Sequence, residues 1–131
     1  MTNQTDRDET LYERGIAMRR RVLGDAHVDR STANVSEFSQ PVQQFVTEFC
    51  WGAVWTRPDL DRATRSLINV AMLTALNRSQ ELAVHVRGAV NNGCTREQIR
   101  EVLLQTAVYC GAPAALEAFR VAEGVLDELS A

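Results

Sequence analysis

The chain has 131 residues, enough to bury a core without disulfides or metals, and it reads as one domain. Its 14 basic and 17 acidic residues leave a formal charge of -3, and no segment gathers the basic stripe that nucleic acid requires. All 14 basic residues are arginines, so no side-chain Schiff base can form; lysine-imine chemistry, lysine-anchored pyridoxal chemistry and P-loops ending in Gly-Lys-Ser/Thr are excluded.

Cys50, Cys94 and Cys110 are widely spaced and lack a Cys-x-x-Cys pair. They suggest reduced thiols in a cytoplasmic protein instead of a disulfide framework or a thioredoxin-like centre. Residues 1–8 read as a disordered polar tail without a signal region, and residues 9–131 as a single helical domain. No apolar run reaches membrane-spanning length, so no membrane partner is expected.

Helical periodicity dominates and strand-like alternation is scarce, which predicts an all-α fold, a compact bundle of about six helices. The first helix is expected over about Glu9 to Leu23, ended by Gly24-Asp25. Arg19-Arg20-Arg21 near its end reads as a solvated face favoured by the helix dipole. Ala26 to Asn34 reads as a polar connection that places His27 in a loop. A second helix has Ser39 as N-cap and Pro41 in its first turn, with Val42, Phe45, Val46, Phe49 and Cys50 on its apolar side. It ends before Arg57-Pro58, and Trp51 and Trp55 read as core or interface anchors.

Asp61 caps a third helix whose stretch Leu67 to Leu76 is interrupted only by Asn69 and Thr74. Apolar nearly all round, that helix must be central or covered by another subunit. Ser79 is the expected cap of a fourth helix, Gln80 to Asn92, stopped by Gly93. Thr95 and Gln98 make a capping-box pattern for a fifth, which runs to about Cys110. Gly111 and Pro113 separate it from a last helix, Ala114 to Leu129.

Glu81 and His85 stand one turn apart and share a face of the fourth helix. Two readings are open: a general acid or base with a carboxylate beside it, or an ordinary helix-face ion pair. Arg65 and Arg78 flank the apolar third helix and can each hold an anion by a two-pronged contact, or form surface salt bridges. His27 is a further candidate. No compact His/Cys cluster suggests a metal, and no cofactor is expected.

Several segments in order carry a resemblance. They are Val22-Leu23-Gly24-Asp25-Ala26-His27-Val28-Asp29-Arg30-Ser31, Trp55-Thr56-Arg57-Pro58, Thr64-Arg65-Ser66-Leu67, Glu81-Leu82-Ala83-Val84-His85 and Tyr109-Cys110-Gly111-Ala112-Pro113-Ala114-Ala115. With them the chain resembles the 4-carboxymuconolactone decarboxylases, of alkylhydroperoxidase-D-like fold. The resemblance implies a homo-oligomer, commonly a hexamer. In the peroxidase branch of that fold the corresponding helix carries Cys-x-x-Cys-x-x-x-His. Here Arg78 and Glu81 stand at the two cysteine positions, His85 matches the histidine, and Ser66 aligns with the proton-relay glutamate.

The implied activity is cofactor-free loss of carbon dioxide from a lactone carboxylate, 4-carboxymuconolactone, to give the β-ketoadipate enol-lactone of protocatechuate breakdown. The lactone carbonyl accepts the electrons as a dienolate, so neither lysine nor cofactor is needed. On this reading His85 is the acid, Glu81 its orienting partner, and Arg65, Arg78 or His27 the anion contacts. Two alternatives stand beside it: a thiol-dependent peroxidase or reductase using Cys94 or Cys110, and a non-catalytic helical ligand-binding oligomer.

Overall fold

The computed structural model describes residues 9–130; the expected polar tail, residues 1–8, lies outside them. Among the described residues there are seven α-helices, one π-helical segment and no strand. The all-α expectation therefore holds, with more elements than the six helices expected. The described residues divide into two compact units, one ending at Asp59 and the other starting at Leu60.

In the first unit, α1 (Leu11–Leu23) starts two residues later than expected, where the Thr10 side chain accepts from the Glu13 backbone N–H. Gly24 does not begin a loop. It takes the whole change of direction in one residue at φ 89°, and α2 (Asp25–Ala33) follows at once. The expected connection is thus a helix, with Val28 fully buried on its inner face. Asp25 lies in its first turn, and Arg20 bridges the break to Asp25 at 3.3 Å and Asp29 at 2.9 Å.

The arginine run is not a uniformly solvated face. Arg19 is only 7% exposed; its Nη1 donates to Gln43 Oε1 at 3.1 Å and Thr47 Oγ1 at 3.4 Å. Burial pulls its pKa downward, since a desolvated charge is disfavoured.

The next helix also departs from expectation. After α3 (Gln40–Phe45) the chain widens into a π-helix, Val46–Val54. Ser39 makes no capping bond to it; its hydroxyl pairs with Ser36 instead. The expected apolar side is outward: Phe45 is 57% exposed, and Val42, Phe49 and Cys50 are exposed as well. The buried side carries Thr47, Trp51 and Gly52, and Trp51 stacks on Trp55 with centroids 4.9 Å apart.

Small residues decide which side faces inward. A Cβ on Gly15 would stand 1.9 Å from the Thr47 carbonyl oxygen, and one on Gly52 would stand 2.5 Å from that of Leu11. Two backbones approach this closely only where no side chain intervenes. The crossing of α1 with the π-helix therefore selects the glycine face.

The second unit contains α4 (Arg62–Ala75), α5 (Ser79–Asn91), α6 (Arg96–Cys110) and α7 (Ala112–Ser130). Asp61 caps α4 by accepting from the Thr64 backbone N–H at 2.7 Å. The Thr95/Gln98 capping box of α6 is present in both directions. Ser79 does not cap α5; Arg78 occupies that position, and the Ser79 hydroxyl donates to Glu117 on α7 at 3.2 Å. The core between these helices includes Val70, Leu82, Val86, Ile99, Leu103 and Ala122.

Helices α4 and α5 form a hairpin with both C-terminal ends fixed in the same manner. Asn77, at φ 58°, follows α4, and the Arg78 N–H reaches back to the Leu73 carbonyl at 2.9 Å. Gly93, at φ 91°, follows α5, and the Cys94 N–H reaches the Ala89 carbonyl at 2.9 Å. Both are six-to-one closures around a left-handed residue. The residues that cross-link the hairpin are polar: Asn92 Nδ2 donates to Ser66 Oγ at 2.9 Å and to the Arg62 carbonyl at 3.3 Å.

Candidate functional site

The α4–α5 hairpin positions four of the five residues singled out from the sequence. Glu81, in the first turn of α5, is exposed; His85, one turn on, is half-buried. Arg65 is half-buried in the second turn of α4, and Arg78 is exposed just before α5. His27 belongs to the first unit, half-buried on α2, with its Nε2 3.4 Å from the Ser31 hydroxyl. It is a helical residue, contrary to the expected loop, because Gly24 alone absorbs the break.

The sequence reading gave His85 a partner on its own helix. Across the hairpin, the structure brings up Asn69 on α4, whose Nδ2 lies 3.3 Å from His85 Nδ1. Asn69 was visible in the sequence as one of two polar breaks in the apolar run, one turn after Arg65. A polar side chain kept in such a run signals a specific partner, because burying an amide unbonded is costly. The other break, Thr74, closes locally by donating to the Val70 carbonyl at 2.7 Å.

Ser66 is fully buried and accepts from Asn92. It is a structural hydroxyl in the hairpin and carries no ionisable group for a proton relay. Cys94 is buried as well, its thiol donating to the Ala63 carbonyl at 3.4 Å. Burial, with the Asp61 charge adding to it, raises this thiol's pKa. A thiol kept protonated is a poor nucleophile. Cys50 and Cys110 are exposed, and all three cysteines are free.

A mostly apolar groove of about 350 Å³ runs between α4 and α6, lined among others by Leu67, Ile68, Val102, Thr106, Tyr109 and Cys110. A second cavity of about 200 Å³ lies between α6 and α7, with Arg96, Arg100 and Glu123 at its rim. Neither is lined by Glu81 or His85. Around the groove the second unit leaves large apolar side chains in solvent, including Ile68, Met72, Val108 and Tyr109. Among the described residues no helix is long and apolar enough to cross a membrane.

Chemically, the hairpin offers an imidazole with one nitrogen bonded to an amide, a carboxylate one turn away, one arginine on α4 and another just before α5. That is a set suited to binding an anion and stabilising negative charge as it develops.

Residues 40–124 match the sequence model of the Carboxymuconolactone decarboxylase family. A 4-carboxymuconolactone decarboxylase of Acinetobacter baylyi is 44% identical over 122 residues, 93% of this chain and 91% of that protein. A nitrosuccinic acid decarboxylase of Metarhizium robertsii is 39% identical over 132 residues, 98% of this chain and 92% of that protein. A 4-carboxymuconolactone decarboxylase of Pseudomonas putida is 42% identical over 45 residues, 34% of this chain and 94% of that sequence.

Proposed function

The chain belongs to the carboxymuconolactone decarboxylase family, and we propose that it decarboxylates 4-carboxymuconolactone to the β-ketoadipate enol-lactone without a cofactor, in protocatechuate catabolism. The observation that carries this reading is the 44% identity with a decarboxylase of that substrate over 93% of the chain. The lysine-free composition fits, because this substrate needs no imine. As the carbon–carbon bond breaks, its electrons pass through the ring double bond into the lactone carbonyl, carbon dioxide leaves, and the dienolate then takes one proton.

In this proposal His85 presents a ring N–H to the dienolate, and Glu81, one turn away, tunes the imidazole. Arg65, Arg78 or His27 supplies the anion contacts for the carboxylates. The exposed apolar side chains of α4 and α6 support a homo-oligomer, proposed as a hexamer, since a face of that kind calls for a partner. The three free cysteines support a cytoplasmic setting.

A second substrate is favoured by the relative that is 39% identical over 98% of the chain, a nitrosuccinic acid decarboxylase. Nitrosuccinate shares the essential chemistry: the carboxylate on the nitro-bearing carbon leaves electrons that the nitro group accepts as a nitronate. Both reactions need an anion clamp and a donor to a developing oxyanion. Carbon dioxide release from each acid on metal-free protein, beside Glu81→Gln and His85→Ala, tests the proposal. Turnover of the lactone with loss in the His85→Ala protein is expected; a folded protein inert toward the lactone would refute the assignment.

A further inference from the structure

We propose that Asn69 is a positioning residue that holds His85 as a neutral ring protonated at Nε2. The side chain then serves the reaction as a hydrogen-bond donor to the developing dienolate oxygen, and not as an imidazolium acid. The role in the reaction rests on the decarboxylase reading; the tautomer rests on geometry alone.

The Asn69 amide nitrogen is 3.3 Å from His85 Nδ1. A carboxamide nitrogen can only donate, so Nδ1 must present its lone pair. A neutral ring with an accepting Nδ1 carries its hydrogen on Nε2. An imidazolium would set two donors against each other at this distance. Both side chains are half-buried on facing helices, and the hairpin that carries them is closed at both C-terminal ends and cross-linked through Ser66 and Asn92. The pairing is therefore not left to two free side chains.

Charged groups stand one turn from the pair on both of its helices. Glu81 precedes His85 by a turn on α5 and is exposed, while Arg65 precedes Asn69 by a turn on α4.

A neutral imidazole N–H can polarise a carbonyl without giving up its proton. In the decarboxylation the breaking bond sends its electron pair to the lactone oxygen. The Nε2–H meets the charge there, carbon dioxide departs, and the ring carbon takes its proton from water. The imidazole ends the cycle as it began, and no step requires it to be recharged.

The test is the long-range proton–nitrogen correlation spectrum of the histidine rings in the full-length, nitrogen-15-labelled protein at neutral pH, with His27→Gln used to assign the two rings. The Nε2–H pattern is expected for His85. In Asn69→Asp, whose carboxylate can only accept, the proton is expected on Nδ1, with kcat for the lactone falling about 100-fold, on the scale of a lost oxyanion donor, and KM little changed. A wild-type ring protonated at Nδ1 or at both nitrogens overturns the tautomer, as does an Asn69→Asp spectrum in which His85 is unmoved. If Asn69→Asp fails to fold, the wild-type spectrum decides alone. Undiminished turnover in His85→Ala overturns the catalytic half, which the spectrum does not address, so the two failures are distinguishable.

Discussion

Replacing Gly15 by alanine tests the close approach in the first unit. The added Cβ would stand 1.9 Å from the Thr47 carbonyl oxygen, 2.9 Å from its carbon and 3.1 Å from the Gly52 nitrogen. All three are backbone atoms, so no flexible side chain can yield. The nearest contact is about 1.5 Å short of ordinary van der Waals distance, and relief requires the whole of α1 to move.

Overpacking of this kind costs about 1–3 kcal/mol, and with only backbone in the way the upper end applies. Alanine returns about 1 kcal/mol in helix propensity. The net loss is then about 2 kcal/mol, and for a chain of this length each kcal/mol shifts Tm by about 3–5 °C, so a fall of about 6–10 °C is expected.

Gly52→Ala should cost less, since its nearest backbone contact would be 2.5 Å away. Gly124→Ala, on the exposed side of α7 with nothing within 4 Å, should raise Tm slightly through propensity alone. Thermal unfolding followed by circular dichroism gives the order. A Gly15→Ala protein as stable as Gly124→Ala would refute the reasoning.

Other expectations follow from the same geometry. His85→Ala is expected to lower lactone turnover by about 100-fold or more, as for a lost oxyanion donor, with circular dichroism unchanged; steady-state assay checks it. A variant with Cys50, Cys94 and Cys110 all replaced by serine or alanine should keep that turnover, because the buried Cys94 thiol is held protonated; loss of turnover in a folded protein would favour thiol chemistry. The Asp61 carboxylate is held below its usual pKa by hydrogen bonds from Thr64. A depressed folded-state pKa gives stability that is present above the unfolded value and lost as pH falls through the folded one. Asp61→Asn should therefore keep the cap while flattening the acid limb of a Tm-against-pH curve below about pH 4, and an unchanged acid limb would count against the role. Arg19→Met should be tolerated or stabilising, because it removes a buried charge while keeping the stem's volume; chemical denaturation measures the sign.

The second unit was largely legible because its signals are local. Asp61, Thr95 with Gln98, and Gly93 each act within one turn of their own position, and each is found in the role its residue type suggests. The first unit was not. Gly24-Asp25 has the composition of a helix stop, yet one left-handed residue lets a helix resume immediately.

The π-helical segment contains no residue that announces i→i+5 bonding, and its apolar stripe was assigned by hydrophobicity, whereas packing went to the small face that α1 could approach. In the site, Glu81 and His85 are near in sequence and were visible. Asn69 meets His85 from another helix; the polar break at 69 marks a side chain in need of a partner, but which partner depends on how the two helices face each other.

Leu76, Asn77 and Arg78 alone carry the chain from α4 to α5. Asn69 precedes this turn, and His85 follows it, by about two helical turns each. The turn therefore works as a ruler and a phase reference at once. One residue gained or lost in either arm would rotate a partner by about 100° and shift it about 1.5 Å along its axis. The Asn69–His85 pairing can thus be retuned by exchanging side chains but not by changing chain length. Diversification of the proposed site, natural or engineered, has to proceed by substitution within a fixed count of residues.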